Sequence, residues 1–326
     1  MAQATTFNIG SNREDVLQGF TMVEPEATPM LSMLKKGRAP KASYTEWVVD
    51  DLSDPVLTAV EEGTDVSSFA NPGVNRARIG NHVQRQDRAW SVSDLEELVE
   101  DAAVANQVAT AKSKKLIELR RDMAAVIGSD QANVAGGSGS AAKCRGMGQW
   151  VLNSAQTNNP VPAGFRTPSA SINTTAAASF AESDVNGVLE SLYSQTGTLD
   201  NFKLFAGTSL KKEFSDFSRV GQANGSYRTN EDISTNKITK NVLRYEGDFG
   251  TLDIITDLFL AKDGSAASQG MRGYVINPDL VEIAFADGPS HYDLEDEGGG
   301  PRGFYKAWYT LRVKNPLGLG KFAATA

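Results

Sequence analysis

Residues 93–128 read SDLEELVEDAAVANQVATAKSKKLIELRRDMAAVIG. Apolar side chains recur here at alternating steps of three and four, which is the period of one face of an α-helix. Ser93 and Glu96 have the spacing of a capping box, and Gly128 suits a helix end. The sequence therefore predicts one helix from about Leu95 to Gly128. Its predicted packing face comprises Leu95, Leu98, Ala102, Ala105, Ala109, Lys112, Leu116, Leu119, Met123 and Val126.

A helix over this whole stretch would be about 50 Å long, because each residue adds about 1.5 Å. A compact globule of this chain length has about the same diameter. One helix would then cross the entire molecule, which is typical of a flat subunit with a spine. The small side chains Ala102, Ala105 and Ala109 favour close packing against a sheet, and a coiled coil is the alternative.

Two runs rich in β-forming residues precede the helix, at 43–49 and 78–92. The polar stretch between them is longer than a compact domain usually keeps without structure of its own. We predict a two-stranded arm with a mobile tip. An isolated hairpin is marginal in water, so a neighbouring molecule would have to stabilise it. A disordered surface loop is the alternative.

The remaining segments read as an arm and a mixed domain. Within residues 1–40 the sequence predicts two short helices, near 11–18 and 29–37, on a tether interrupted by prolines. They form either an arm that lies on another surface or a tail packed on its own subunit. Residues 146–280 mix helix and strand signals, as in a small α+β domain.

Local signals place several elements in the second half of the chain. The sequence predicts a helix over 183–197, a strand over 202–206 and a hairpin over 242–256. It also predicts strands over 281–285 and 304–314, the latter within a tail that spans 281–326.

Composition narrows the function classes. The chain has 326 residues, with 32 Lys and Arg against 40 Asp and Glu, and a pI near 5.0. This balance disfavours a dedicated nucleic-acid binder. Cys144 is the single cysteine and cannot form an internal disulfide. Residues 1–10 do not resemble a secretory signal, and no apolar run is long enough for a membrane helix. We expect a protein made in a reducing cytoplasm.

No constellation of residues points to catalysis, a cofactor or a metal. His82 and His291 are the only histidines and neither lies in a motif, so a three-histidine metal site within one chain is excluded. Lys143 and Arg145 flank Cys144, a basic setting that lowers a thiol pKa. A buried or incidental cysteine is nevertheless the favoured interpretation, and an activated thiol is the alternative. The sequence therefore predicts no catalytic, cofactor-binding or metal-binding residues.

The features that remain to be explained are the N-terminal arm and the two-stranded arm, which are projections that do not stabilise themselves. Burial on identical neighbours would solve this problem, because interlocking arms enlarge an interface beyond the usual size of about 1,600 Å². The residues thus indicate a homo-oligomeric structural protein.

The order of these elements, and four short motifs, resemble the major capsid proteins of tailed phages with the Hong Kong 97-type fold. The local sequences are most similar to a major head protein family of short-tailed phages. The motifs are EATPMLSML at 26–34, YTEWVVD at 44–50 followed by Glu62-Gly63, YEGDFGTLDI at 245–254, and WYTLRVKN at 308–315.

The resemblance implies an α+β fold with named regions and a structural function. The subunit would form hexamers and pentamers of an icosahedral head that encloses double-stranded DNA. The crosslinking chemistry of the fold's namesake is not implied, because no residue here matches a motif for it. The implied regions are an N-terminal arm at 1–40, an extended E-loop at 41–92, a P-domain with the spine helix at 93–145, an A-domain at 146–280, and strands returning to the P-domain at 281–326.

The same resemblance implies partners and a location. Copies of the chain would be the main partner, joined by scaffolding, portal and decoration proteins and by weak, non-specific contact with packaged DNA. The acidic balance suits this, since a strongly basic inner wall would hold phosphates tightly. No membrane is involved, and the protein would end in the virion shell after synthesis in the host cytoplasm.

The alternatives to a capsid protein are an encapsulin-like or phage-tail structural protein and, less favoured, a hydrolase with a lid at 50–78.

Eight residues are predicted to contact neighbouring subunits. The predicted contact residues are Trp47, Asp54, Glu61, Glu62, Asp65, Arg76, Arg78 and Arg85.

Overall fold

The computed structural model describes residues 26–67, 69, 71, 73, 75–99, 106–198, 201–217, 220–221, 227–228, 231–232, 237–238, 242–261 and 271–323. The helices are α1 Pro29–Met33, α2 Asp94–Leu98, α3 Gln107–Gly128, α4 Met147–Trp150, α5 Glu182–Thr196 and α6 Thr208–Asp216. The strands of the first half are β1 Lys35–Lys36, β2 Tyr44–Val49, β3 Ala77–His82, β4 Gln84–Ser91, β5 Ile172–Asn173 and β6 Phe202–Ala206. Those of the second half are β7 Val220–Gly221, β8 Tyr227–Arg228, β9 Glu231–Asp232, β10 Lys237–Ile238, β11 Arg244–Gly247, β12 Gly250–Thr256, β13 Arg272–Ile276, β14 Val281–Leu294, β15 Arg302–Val313 and β16 Gly320–Ala323.

Two larger sheets form the framework. One has four strands in the order β1-β14-β15-β4, built around the long antiparallel hairpin of β14 and β15. The other has six strands in the order β11-β12-β6-β13-β16-β5 and mixes parallel with antiparallel pairs. Strands β2 and β3 pair separately as an antiparallel ladder, with Trp47 opposite Ile79.

The spine helix is shorter than the sequence predicts. The start near Leu95 is wrong, because α3 begins at Gln107 and α2 is a separate short helix. Val99 and Asn106 both have extended backbone, and the Asn106 side chain accepts a hydrogen bond from the Ala109 N–H at 2.8 Å. This cap starts a new helix. With 22 residues, α3 is about 33 Å long.

Within the described part of the predicted packing face, full burial is confined to the C-terminal end. Leu119 and Met123 lie in the core, as predicted, while Ala109 is exposed. Leu95 and Leu98 are also exposed on α2. Ala102 and Ala105 lie outside the described residues. The helical period alone did not show where along the helix the covering sheet ends.

Other local predictions are confirmed, with two exceptions. The run predicted over 78–92 is divided at Val83 into β3, which pairs with β2, and β4, which pairs with β15 in the four-stranded sheet. The structure contains α5, β6 and the β11–β12 hairpin where the sequence placed them. The helix predicted over 29–37 ends at Met33, since Leu34 is extended and Lys35 pairs with Glu282 in the four-stranded sheet. That long-range pairing replaces the glycine-capped helix end. The helix predicted near 11–18 lies outside the described residues.

The core consists of two hydrophobic clusters. The larger unites α1, α3 and α4 with the β2–β3 ladder and the β14–β15 hairpin, and the smaller lies between α5, α6 and the six-stranded sheet. The boundaries predicted for the five regions remain a prediction.

Candidate inter-subunit surface

The arm that contains β2 and β3 is firmly attached to its own subunit. Trp47, Val49 and Ile79 are buried in the larger cluster. The Trp47 Nε1–H donates to the Val313 carbonyl at 2.9 Å, and Asn81 donates to the Leu311 carbonyl at 2.8 Å. These contacts bind the base of the arm to β15, so the arm leaves the body from a fixed position.

An ion pair closes the ladder where the arm leaves the body. Arg76 Nε donates to Asp50 Oδ2 at 2.9 Å, directly after the last paired residues, Val49 and Ala77. The hydrogen bond from Arg76 lowers the pKa of the Asp50 carboxyl. Between these two residues the described part of the chain forms no strand and is almost entirely exposed.

Large apolar side chains are the main feature of this loop. They extend into solvent with 70–99% of their surface exposed. Single exposed apolar residues are ordinary, but a series of them marks an interaction site. They have no cover within the described part of the subunit. The exposed apolar residues of the loop are Leu52, Val56, Leu57, Val60, Val66 and Phe69.

The charge of the loop has one sign. Residues 50–75 contain no Lys or Arg, and all their charged residues are acids. A loop that combines apolar and acidic side chains fits a surface with apolar patches and basic neighbours. The acids are Asp50, Asp51, Asp54, Glu61, Glu62 and Asp65.

The structure separates the predicted contact residues into three groups. Asp54, Glu61, Glu62 and Asp65 are exposed on the loop, and Arg76 binds Asp50 at its base. Arg78 and Arg85 are exposed on β3 and β4, where Arg85 pairs with Asp87 at 2.8 Å. Trp47 lies in the core of its own subunit, which leaves little of it for a neighbour.

Sequence reasoning missed the apolar residues of the loop. Residues 50–78 were interpreted as a polar stretch, since their apolar side chains follow neither the helical nor the strand period. The sequence nevertheless carried a signal for them, namely the number of large apolar residues in a segment that has neither the helical nor the strand period. That signal distinguishes an arm that is covered by a partner from an ordinary polar linker.

The cysteine and the two histidines, the side chains best suited to catalysis or metal binding, are engaged in packing and hydrogen bonds. Cys144 is buried, as the favoured interpretation of the sequence expects, and burial raises the pKa of its thiol to about 12, so the activated alternative is excluded. Burial lowers the pKa of His82, which packs against Tyr44. His291 accepts a hydrogen bond from Trp90 Nε1 at 3.2 Å.

The described residues contain no group of His, Cys, Asp and Glu side chains arranged to hold a metal ion. None of the helices described is both long and apolar enough to cross a lipid bilayer.

The fold and the projecting loop define a class of protein, the tailed-phage capsid subunit of the Hong Kong 97 type. The structure from Mycobacterium phage Che8 shares 12% identity at a TM-score of 0.54 and covers 96% of this chain and 98% of its own. The capsid of an empty GTA particle shares 14% identity at a TM-score of 0.60, with coverage of 99% and 98%. The cyanophage Pam1 capsid shares 10% identity at a TM-score of 0.58, and both chains are covered completely.

The family follows from the sequence itself. A family model described as SU10 major capsid protein matches residues 2–326, and the chain belongs to that family. It is a structural shell protein that associates with itself in a phage capsid. No curated protein matches the sequence. The tail-protein and hydrolase alternatives receive no support from this match.

Proposed function

We propose that the loop over 50–76 lies across an adjacent subunit and holds it within hexamers and pentamers of an icosahedral head around double-stranded DNA. One observation carries this proposal. A loop with a fixed base exposes six large apolar side chains, which no described residue of the same subunit covers. Burying each one on a neighbour would contribute about 1.5–3 kcal/mol of transfer free energy, before the entropy of ordering the loop is subtracted.

Charge supports the choice of the receiving surface. The acids of the loop need basic neighbours, and Arg78 and Arg85 are exposed on the body of the subunit. Arg78 has no ion pair within the described part of the chain, so a carboxylate from a second copy would meet an uncommitted cation. Trp47 is not part of this proposed interface, because it is buried in the core of its own subunit.

Deletion of residues 53–72 tests the proposal. The closing pair of Asp50 and Arg76 remains, so the subunit should fold and keep its melting temperature. Closed shells should disappear from sedimentation profiles and electron micrographs. Normal shells formed by the deletion variant would contradict the proposal.

Point variants separate the apolar contribution from the acidic one. Leu57→Ser with Phe69→Ser removes apolar surface without changing charge, and should raise the protein concentration needed for assembly at least tenfold. Leu243→Ser is the control, because Leu243 is also a large exposed apolar residue, with 66% of its surface exposed, but lies outside the loop and next to β11. Glu61→Lys with Glu62→Lys should weaken assembly, and Arg78→Glu in the same chain should restore part of it.

The remaining partners follow the same reasoning. We propose that scaffolding and portal proteins, and decoration proteins, join the shell, and that packaged DNA touches it weakly, as suits a net charge of −8. The chain would act without catalysis, be made in the host cytoplasm and reside in the virion shell. Membership of a capsid protein family supports these expectations.

A further inference from the structure

A positively charged side chain lies sealed inside the subunit. Arg145 follows Cys144 at the entry to α4, and only 1% of its surface is exposed. Its backbone N–H donates to Asn81 Oδ1 at 2.7 Å, and the Asn81 amide donates onward to the Leu311 carbonyl. The backbone of Arg145 is thus hydrogen-bonded to Asn81 of β3, and Asn81 is in turn hydrogen-bonded to β15.

One end of the guanidinium is well satisfied. Nη2 donates to the carbonyl oxygens of Asn158 at 2.8 Å and Asn159 at 2.7 Å. Asn159 has a φ of +46°, in the left-handed region that asparagine tolerates better than most residues. The chain at Asn158 and Asn159 therefore adopts an uncommon backbone conformation and directs two carbonyl oxygens at the same guanidinium nitrogen. The planar group also stacks 4.5 Å from the Trp150 ring centre.

The other donors of the same group are unsatisfied. Nε and Nη1 of Arg145 are buried and have no hydrogen-bond acceptor among the described residues. No carboxylate among the described residues forms an ion pair with this side chain. Burial lowers the pKa of Arg145 to about 10, so at neutral pH the group still carries its charge. A buried charge without a counter-ion is strongly unfavourable.

Further donors without acceptors lie nearby. The indole Nε1 of Trp150, the residue under the guanidinium, is buried and finds no acceptor in the described part of the chain, and the same holds for the Asn133 amide nitrogen. Asn133 is joined to Arg145 through Asn158, which donates to the Asn133 carbonyl at 2.7 Å while its own carbonyl accepts from Arg145. Among the described residues, the neighbourhood therefore has more donors than acceptors, and no carboxylate balances the positive charge. The ionisable group that acts on Arg145 is the Tyr44 hydroxyl, which is neutral at neutral pH because burial raises its pKa.

We propose that Arg145, Trp150 and Asn133 enclose a binding site for one small monovalent anion of the chloride class. A water molecule would accept hydrogen bonds from these donors, but it would leave the charge without a counter-ion. A carboxylate from another subunit could reach a side chain of 1% exposure only by opening the core. A small anion accepts hydrogen bonds and also carries the negative charge that balances Arg145, and it occupies little volume.

The anion would connect several parts of the fold. The donors belong to the entry of α4, to α4 itself and to the segment after α3, while Asn81 joins the same arginine to the base of the projecting arm. Binding would therefore stabilise the position from which the arm leaves the body. The inference does not depend on the proposed role of that arm, since its tests use the unassembled subunit.

Thermal unfolding in different salts tests the proposal. Chloride should raise the melting temperature along a saturating curve when gluconate keeps the ionic strength constant, because a ligand that binds only the folded state stabilises it. Bromide should act in the same way. Arg145→Met should abolish the dependence, whereas Arg120→Met, at an exposed arginine on α3, should retain it. Equal curves in chloride and gluconate would overturn the proposal.

A direct observation on the unaltered protein covers the case in which Arg145→Met does not fold. Crystals grown in bromide should give an anomalous scattering peak within hydrogen-bond distance of Arg145 Nε or Nη1. A peak there would establish the anion independently of any variant. Density for water alone at that position would show that carbonyls and the Trp150 ring suffice for the charge, and would overturn the proposal.

Discussion

Asp130 and Arg272 form a largely buried ion pair that joins the end of α3 to the six-stranded sheet. Asp130 follows the C-terminal end of α3, and Arg272 begins β13 in the six-stranded sheet. Arg272 Nη1 donates to Asp130 Oδ2 at 3.2 Å, a second contact joins Nη2 to Oδ1, and Lys321 of β16 donates to the same carboxylate at 3.3 Å. Tyr274 adds a hydrogen bond to the Gly128 carbonyl at the end of the helix.

Asp130→Asn should destabilise the folded subunit by about 3–5 kcal/mol, because it leaves two buried cations without their carboxylate. Denaturant unfolding of the unassembled protein measures this. Asp122→Asn is the control. Asp122 pairs with Arg88 in a more exposed setting, where loss of an ion pair costs about 1 kcal/mol or less. Equal effects of the two substitutions would contradict the assigned role of Asp130.

The same pair predicts a dependence on pH. Burial opposes ionisation of Asp130, but the hydrogen bond from Arg272 and the charge of Lys321 together lower its pKa below the ordinary value of 3.8. The stabilisation is therefore present above pH 4 and is lost as the pH falls through the lowered pKa. Unfolding free energies measured from pH 5 to pH 2 should fall less steeply in Asp130→Asn than in the unaltered chain.

Gly148→Ala should be strongly destabilising, because a Cβ at this position would lie 1.5 Å from Asp130 Oδ1 and 2.8 Å from Arg272 Nη2. Gly187→Ala is the matched control within α5, where a new Cβ has no neighbour within 4 Å. There the substitution should stabilise the helix by about 0.5–1 kcal/mol. Melting temperatures that move in opposite directions would support this reading, and a neutral Gly148→Ala would refute it.

Cys144 should resist thiol reagents in the folded protein. The side chain is fully buried, and burial raises its pKa to about 12, so even at pH 9 almost no thiolate forms. Labelling with a chromogenic disulfide reagent should be complete in denaturant and nearly absent without it. Rapid native labelling would show that the segment around Cys144 opens readily.

Overpacking should distinguish the two halves of the spine helix. Ala124→Trp places a large ring at a buried position and should cost about 1–3 kcal/mol or more. Ala109→Trp lies on the exposed N-terminal turn and should change the unfolding free energy by less than about 0.5 kcal/mol. A large loss of stability in the unassembled Ala109 variant would indicate that this face is covered.

Elements with strong local signals were predictable from the sequence alone. Helix α5 ends at Gly197, which adopts a φ of +65°, a conformation for which glycine is favoured at a helix end. The β11–β12 hairpin forms where the sequence carries turn residues between β-forming runs. The order of the motifs at 26–34, 44–50, 245–254 and 308–315 was enough to indicate the capsid class, because together they resemble that family along nearly the whole chain.

Long-range contacts decided the rest. Periodicity indicates that a helix has an apolar face, but it does not show where the covering sheet ends, and so the break before Gln107 and the exposure of Ala109 were not predictable. The basic neighbours of Cys144 in sequence left an activated thiol open as an alternative, and only its burial in the core among distant elements excludes it. The amino-acid sequence determined the local elements and their order, because those depend on nearby residues. Burial and charge pairing depend on residues far apart in the chain, and therefore only the tertiary structure decided which side chains are left for a second molecule.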